Sequence, residues 1–206
     1  MTLSKLQYIS QGATAAEQYD AIQQALDHGA DWIQLRWKNA ADAERLRLAE
    51  KVRQQCQRYQ ALCIINDSIA LAKAVDADGV HLGLEDESIE KARRVLGADK
   101  IIGGTANTIT QVVKRIREGC DYIGLGPYRQ TFTKEKLSPI LGIAGYQRII
   151  TDLKQNDIAF PAIYAIGGIG LPDIPALLEE GIYGVAVSKA ITEMPETIVE
   201  FKELLS

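Results

Sequence analysis

The sequence predicts an α/β fold, a single (β/α)8 TIM barrel over residues 1–206. Two observations predict it. Eight short runs rich in β-branched and aromatic residues alternate with segments of helical length, which is the pattern of parallel strands joined by crossover helices. No linker, low-complexity tract or change of composition interrupts the 206 residues, so we expect one domain.

The predicted strands are short and evenly spaced along the chain. They cover residues 6–10, 32–36, 62–66, 79–82, 101–105, 122–126, 162–166 and 184–188. The helices between them carry their own start signals. Thr14 with Glu17, and Thr108 with Gln111, match the capping-box pattern of a helix N-terminus. Eight such units in about 200 residues favour a closed barrel over an open doubly wound sheet.

The composition excludes several classes of partner and cellular location. The net charge is -4 and the sequence pI is about 5.3, so we expect no nucleic-acid partner. The three cysteines, Cys56, Cys63 and Cys120, are widely spaced, which excludes a disulfide scaffold as the default and fits a reducing compartment. No apolar stretch approaches the length of a membrane span, so we expect no membrane partner and a cytoplasmic location. The sequence leaves the oligomeric state open, a homo-oligomer included.

The carboxyl ends of the predicted strands carry the candidate site, because active sites of such barrels lie there. Alternation along the second strand places Gln34, Arg36 and Lys38 on one face, and Leu35 and Trp37 on the other. We expect the polar face to line the barrel mouth and to meet an anion. Residues that precede the strands show no comparable chemistry. The basic side chains Arg93, Arg94, Arg129, Lys136 and 114–117 are interpreted as solvated.

Two carboxylates follow adjacent strands. Asp67 comes directly after the third run and Asp86 shortly after the fourth, so they can share one hard cation such as Mg²⁺ through oxygen ligands. The alternative is that each only caps the helix that follows, near Ile69 and Ser88. The cations on the neighbouring strand favour the metal hypothesis.

Two further clusters suit phosphate groups. Thr131, Thr133 and Lys134 follow the sixth strand and offer two hydroxyls and an ammonium, which suit a diphosphate, although a plain polar loop would contain the same residues. Gly168 after the seventh strand and Ser188 after the eighth lie where barrels of this class usually bind phosphate.

His81 lies within the fourth strand. It is interpreted either as a general base or as a hydrogen-bonded structural residue, and the second interpretation is the more typical of a strand histidine that faces a barrel interior.

In combination, these motifs resemble the thiamine-phosphate synthase (thiamine-phosphate pyrophosphorylase) family over essentially the whole chain. The carrying segments are 34–38, 65–67, 79–83 with Asp86, 102–105, 121–124, 131–134 and 166–169. The resemblance implies a transferase that joins 4-amino-5-hydroxymethyl-2-methylpyrimidine diphosphate to hydroxyethylthiazole phosphate, which releases pyrophosphate and forms thiamine phosphate. It implies a dissociative, Mg²⁺-assisted substitution.

The resemblance also implies residue roles. The metal ligands would be Asp67 and Asp86. The diphosphate would be contacted by Arg36, Lys38, Asn66 and Lys134, with Thr105 beside it and Gln34 near the pyrimidine. The thiazole phosphate would be lined by Thr131, Thr133, Gly168, Val187 and Ser188. Arg36, Lys38 and Lys134 would be the catalytic side chains.

The chain departs from the family pattern in three places: Trp37 replaces Glu, Leu84 replaces Gln, and Thr105 replaces Ser. Leu84 removes a polar contact near the metal loop. Two other functions stay open at this point. One is a thiazole tautomerase of the same superfamily, and the other is a non-catalytic sensor of a phosphate ester; retention of Asp67, Asp86 and Lys134 argues against both.

Overall fold

A computed structural model describes residues 3–130 and 139–206 and confirms the predicted fold class, a closed barrel of eight parallel strands. The strands are β1 Leu6–Ile9, β2 Trp32–Leu35, β3 Leu62–Asn66, β4 Gly79–Leu82, β5 Ile101–Ala106, β6 Tyr122–Leu125, β7 Ala162–Ile166 and β8 Gly184–Val187. The α-helices are α1 Ala15–Asp27, α2 Asp42–Arg58, α3 Ile69–Ala74, α4 Ile89–Leu96, α5 Ile109–Arg117, α6 Gly142–Gln155, α7 Ile174–Glu179, α8 Lys189–Glu193 and α9 Thr197–Leu205. A short 3₁₀ helix, Leu171–Asp173, precedes α7.

All eight predicted strands are present, with ends that differ from the prediction by at most one residue. The predicted capping box at the start of α1 is complete: the Thr14 side chain accepts from the Glu17 N–H, and Glu17 reaches back to the cap. At α5 only half of the box forms. Thr108 accepts from the Gln111 N–H, but the Gln111 side chain accepts from the N–H of Asn107 instead.

The barrel interior is filled by a few large side chains opposite glycines. Trp32 and Ile64 pack with Tyr122 and Tyr164, and the tryptophan ring centroid lies 5.0 Å from each tyrosine ring in an edge-on arrangement. A side chain at Gly103 would collide with the Tyr122 ring, so the glycine is what leaves room for the phenol. Gly103 of β5 and Tyr122 of β6 are register partners, so a large side chain on one strand is matched by a glycine on its neighbour.

The opposite faces of the strands pack on the surrounding helices in a second, larger core that includes Leu35, Ile65, Val80 and Leu82. This alternation confirms the predicted faces of β2, because Leu35 and Trp37 contact the helix layer while Trp32 and Gln34 are buried on the inner side. Among residues 3–130 and 139–206, no helix is long and apolar enough to cross a membrane.

The residues that precede the strands were expected to carry no notable chemistry, but two of them make hydrogen bonds between elements. Asp78, before β4, accepts hydrogen bonds from the Cys63 N–H of β3 at 2.8 Å and from Arg53 of α2 at 3.0 Å. Asp121, before β6, repeats the arrangement with the Ile102 N–H of β5 and Arg93 of α4. Arg93 is therefore paired rather than simply solvated. These aspartates tie strand to helix at the amino-terminal end of the barrel, away from the mouth.

We expect Asp78→Ala to lower the free energy of unfolding by about 1.5–3 kcal/mol, the usual cost of losing hydrogen bonds to a charged group. Turnover at low temperature should stay unchanged, because Asp78 lies at the end of the barrel opposite the mouth. Urea unfolding measures the first quantity, and Asp99→Ala, at an exposed aspartate before β5, is the matched control. Equal stability of the two variants would contradict a structural role for Asp78.

Candidate active site

The cationic end of β2 meets the acidic end of β3 at the barrel mouth. The Lys38 ammonium nitrogen lies 2.8 Å from Asp67 Oδ2, with side chains that are 53% and 27% exposed, respectively. Asp67 has a positive φ of 66°, and its N–H donates to the His81 carbonyl of β4 at 2.8 Å. The backbone therefore fixes the Asp67 carboxylate at the edge shared by β3 and β4.

Asp86 joins this pair from the turn after β4. Its Oδ2 accepts from the Gly83 N–H at 2.6 Å, and its carboxyl shares a hydrogen bond with Asp67. The alternative in which both aspartates cap helices is wrong, because Ser68 and Ser88 are the N-caps of α3 and α4. Because neither carboxylate is a helix N-cap, both can face each other where β3 and β4 end at the mouth.

The pKa values of the two carboxyls move apart. Burial alone would raise the pKa of Asp67, but hydrogen bonds with Lys38 and Asp86 and the charges of Lys38 and Arg36 outweigh it and lower that pKa. Burial and the hydrogen bond shared with Asp67 raise the pKa of Asp86. Two neighbouring carboxylates repel each other when both are ionised. The repulsion is relieved when they share a proton or when a cation lies between them.

This donor set fits a divalent cation. Mg²⁺ is commonly held by one or two carboxylates, with water and substrate phosphates as its other ligands. Among residues 3–130 and 139–206, no cluster of three or more His, Cys, Asp or Glu side chains could form a complete protein cage for a metal. Asp67 and Asp86 are the described residues at the mouth that could hold such a cation.

Arg36 completes the charged part of the mouth. Burial lowers its pKa, and the negative charge of Asp67 partly offsets that effect. Its backbone is fixed on both sides: its N–H donates to Ser10 Oγ at 2.9 Å, and its carbonyl accepts from Gln18 Nε2 at 3.1 Å. A guanidinium held in a partly desolvated position is a strong attractor for an anion.

Gln34, predicted to lie near the pyrimidine, and Thr105, predicted to lie beside the diphosphate, both point into the barrel. Gln34 is buried and donates to Gln7 of β1 at 2.9 Å, while Thr105 of β5 lies 3.0 Å from His81 Nε2. His81 is hydrogen-bonded on both ring nitrogens, to Thr105 and to the Tyr122 hydroxyl, which agrees with its structural interpretation. Asn66, the last residue of β3, pairs in register with His81 beside them.

A glycine turn follows β7 on the other side of the mouth. Gly167 and Gly168 have φ values of 93° and 75°, and the Gly168 carbonyl accepts from Arg129 at 2.9 Å. Arg129 also makes a two-pronged ion pair with Asp173, both bonds at 2.5 Å. Arg129 is half exposed, as expected of a solvated side chain, but its guanidinium also ties the segment after β6 to the turn after β7.

Val187 and Ser188, predicted to line the thiazole phosphate, differ in their environment. The Val187 side chain is buried in the outer core, so only its backbone can face the mouth, whereas Ser188 is half-buried and lies 3.5 Å from Gln11. Thr131, Thr133 and Lys134 lie outside the described residues. The described site residues thus form two groups, one at β2–β5 and one at β7–β8.

The interpretation of residues 114–117 as solvated is wrong for Arg115. Arg115 of α5 is only 4% exposed and donates to the carbonyls of Thr105 at 3.0 Å and Gly83 at 2.7 Å. It holds the end of β5 against the turn that carries Asp86. Residues 114–117 are basic or apolar helix residues, and nothing among them distinguishes Arg115. Its partners, the Thr105 and Gly83 carbonyls, lie in other elements.

The fold and the mouth together define a (β/α)8-barrel enzyme for anionic substrates, and comparison with known proteins identifies its family. The thiamine monophosphate synthase family model matches residues 6–191. A thiamine-phosphate synthase of Flavobacterium johnsoniae is 54% identical over 98% of this chain and 94% of its own length. One from Phocaeicola vulgatus is 43% identical over 98% and 97%.

A solved structure agrees with the sequence relatives. A thiamine phosphate pyrophosphorylase from Pyrococcus furiosus is 29% identical, covers 98% of this chain and 97% of its own, and superimposes with a TM-score of 0.83. The chain belongs to the thiamine monophosphate synthase family. The prediction of a transferase in thiamine biosynthesis is thereby confirmed.

The Arg129–Asp173 ion pair predicts a pH-dependent stability. Burial would raise the pKa of Asp173, but its bonds from Arg129 and the Gly170 N–H lower it below the ordinary value. A lowered folded-state pKa contributes stability above the unfolded pKa, about 3.9, that is lost as pH falls toward the folded pKa. The difference in unfolding free energy between wild type and Asp173→Asn should be constant from pH 7 to about pH 5 and shrink below it.

Urea titrations at a series of pH values measure this difference. Arg129→Gln should remove the same pH dependence, because it removes the charge that lowers the carboxyl pKa. A difference that stays constant down to about pH 3.5, below the ordinary aspartate pKa of about 3.9, would contradict the assignment.

Proposed function

We propose that the barrel mouth transfers the pyrimidine methylene group of 4-amino-5-hydroxymethyl-2-methylpyrimidine diphosphate to the ring nitrogen of hydroxyethylthiazole phosphate. The observation that carries this proposal is the cluster of Asp67, Asp86, Lys38 and Arg36, which combines a cation site with anion-binding charges. A diphosphate with a bound divalent cation is the ligand that such a cluster suits. The family membership supplies the identity of the two substrates.

Asp67 and Asp86 would hold Mg²⁺ between them. When bound, the ion would neutralise charge on the diphosphate and make it a better leaving group. Lys38, which pairs with Asp67 at 2.8 Å, is near enough to exchange that carboxylate for a phosphate oxygen when substrate arrives. The turn of Asp86 is held by the Gly83 N–H and, through the Gly83 carbonyl, by Arg115.

Arg36 and Lys38 act as electrostatic catalysts in this proposal, together with Lys134. They bind the diphosphate and stabilise the charge that grows on it as the bond to the methylene carbon breaks. Asn66 and Thr105 contribute neutral hydrogen-bonding groups beside that charge, and Gln34 contacts the pyrimidine. A covalent nucleophile is not needed, because the aminopyrimidine itself stabilises the methylene cation.

The thiazole phosphate would occupy the second group of residues. The Gly167–Gly168 turn lets backbone N–H groups approach a phosphate closely, and Ser188 and the Val187 backbone border the same side. Thr131 and Thr133 are proposed to complete this side. In the closed strand order β3 and β4 are separated from β7 and β8 on both sides, which supports the proposal of two separate phosphate sites. The thiazole nitrogen is thereby held for attack on the cation as the diphosphate departs.

We expect pyrophosphate release only when both substrates and Mg²⁺ are present, with EDTA abolishing turnover. Asp67→Ala should lose the metal response while Asp42→Ala, at an exposed aspartate at the start of α2, keeps it. Circular dichroism checks that both variants fold. A thiazole tautomerase would convert its substrate without pyrophosphate, and a sensor would bind without turnover. Full activity in EDTA would refute the metal assignment.

Arg36→Ala should lower kcat by about 10²–10³-fold, the usual effect of removing one oriented group at a developing charge. Stability should fall little, because the folded protein already keeps this cation in a position where burial lowers its pKa. Arg58→Ala, at an exposed arginine in the last turn of α2, is the matched control. A melting temperature that drops in proportion to kcat would instead indicate a structural role.

Gly168→Val should raise the apparent KM for the thiazole phosphate and leave binding of the pyrimidine diphosphate nearly unchanged. Valine is strained at a φ of 75° and fills the space that a phosphate would approach. Gly97→Val, at a φ of 96° with open space around it, reproduces the backbone strain away from the mouth. Calorimetric titration of each substrate separates the effects, and equal loss for both substrates would contradict two separate phosphate sites.

A further inference from the structure

A continuous chain of hydrogen-bonded side chains crosses the barrel interior and joins two of the site residues. Gln34 Nε2 donates to Gln7 Oε1 at 2.9 Å, and Gln7 Nε2 donates to the Tyr122 hydroxyl at 3.2 Å. The same hydroxyl lies 3.0 Å from His81 Nδ1, and His81 Nε2 lies 3.0 Å from Thr105 Oγ1. The five residues come from β2, β1, β6, β4 and β5, so the chain connects opposite sides of the mouth.

The interior of the barrel shields this chain from water. Gln7 and Tyr122 are 1% exposed, Gln34 2% and His81 5%. A buried polar group that lacks its hydrogen bond is costly, so a buried chain strongly favours an arrangement in which every donor meets an acceptor.

Counting hydrogens along the chain fixes its direction. Because Gln7 donates to the Tyr122 oxygen, the single hydroxyl hydrogen of Tyr122 is left for His81 Nδ1. Burial raises the pKa of Tyr122, which keeps the phenol protonated as a donor. Neutral His81 must then carry its hydrogen on Nε2 and donate it to Thr105 Oγ1.

The consequence reaches the mouth at both ends. Because Thr105 accepts from His81, its own hydroxyl hydrogen is available to donate to a ligand at the mouth. Gln34 gives an amide hydrogen to Gln7, which fixes the orientation of its amide and leaves the carbonyl oxygen as the group that accepts. A donor hydroxyl suits a diphosphate oxygen, and an acceptor suits the amino group of an aminopyrimidine.

We propose that Tyr122 is a positioning residue: through its bonds to Gln7 and His81 it sets the Nε2–H tautomer of His81 and fixes Gln34 as an acceptor and Thr105 as a donor for the pyrimidine diphosphate. The substrate part of this statement rests on the proposed function. The tautomer part concerns the protein alone. Tyr122 itself touches no substrate in this account, because two site residues lie between it and the mouth.

The tautomer can be measured directly, because the chain has only two histidines, His28 and His81. Long-range ¹H–¹⁵N correlation spectra of the ¹⁵N-labelled protein at about pH 8.5, two units above an ordinary histidine pKa, distinguish the two neutral tautomers. His28→Gln assigns the remaining signals to His81. We expect Nε2–H in the wild type and a mixture of tautomers in Tyr122→Phe, which removes only the hydroxyl.

Tyr164→Phe is the matched control. Tyr164 belongs to the same buried aromatic layer, but its hydroxyl donates to the Ser4 carbonyl instead of to the chain. It should keep the wild-type tautomer. Tyr122→Phe should lower kcat/KM for the pyrimidine diphosphate by about 10-fold relative to Tyr164→Phe, the effect of one net hydrogen bond, without changing KM for the thiazole phosphate.

The outcomes separate this proposal from the proposed function. An Nδ1–H tautomer in the wild type, an unchanged tautomer in Tyr122→Phe, or equal kinetic losses in the two tyrosine variants would overturn it. A wild-type protein without pyrophosphate release would overturn the proposed function, while the tautomer measurement would still decide whether Tyr122 orders His81.

Discussion

The contact between the carboxyls of Asp67 and Asp86 is the interaction on which the rest of the mouth depends. Two acids on adjacent strand ends repel each other once both are ionised, and the protein answers with charge from Lys38 and Arg36 and with opposite pKa shifts. Such an arrangement is costly for folding alone. In the proposed function a divalent cation would replace the shared proton and would take further ligands from a substrate.

In the proposed function, the two phosphate-bearing substrates bind to two differently built sides of the barrel mouth. Charged side chains gather at β2–β4, where the proposed function places the diphosphate, whereas the turn after β7 offers glycine backbone. Arg129 stabilises that turn through Asp173 and the Gly168 carbonyl. A leaving group needs strong charge stabilisation in the transition state, while a nucleophile needs to be held in place, and the two sides of the mouth differ in that sense.

Local patterns predicted most of the fold, because strand runs and the Thr14 capping box depend on neighbours in the sequence. The topology then predicted that Asp67 and Asp86 meet, since carboxyl ends of adjacent parallel strands share one edge. Sequence alone could not show what Arg115, Asp173 or Gln7 do. Their partners lie 32, 44 and 115 residues away, and no helix or strand period records such contacts. For the same reason nothing in the sequence indicated that Asp78 accepts a hydrogen bond from the Cys63 N–H of β3.

The measurement that tests the central claim most directly is a crystal structure of the protein with Mn²⁺ and pyrophosphate, using the anomalous signal of the metal. The account predicts one peak between Asp67 and Asp86, at about 2.1 Å from an oxygen of each, as in an octahedral Mg²⁺ site. Pyrophosphate oxygens should complete the coordination and face Arg36 and Lys38. A peak that contacts neither aspartate, or pyrophosphate bound only at the Gly168 turn, would contradict it.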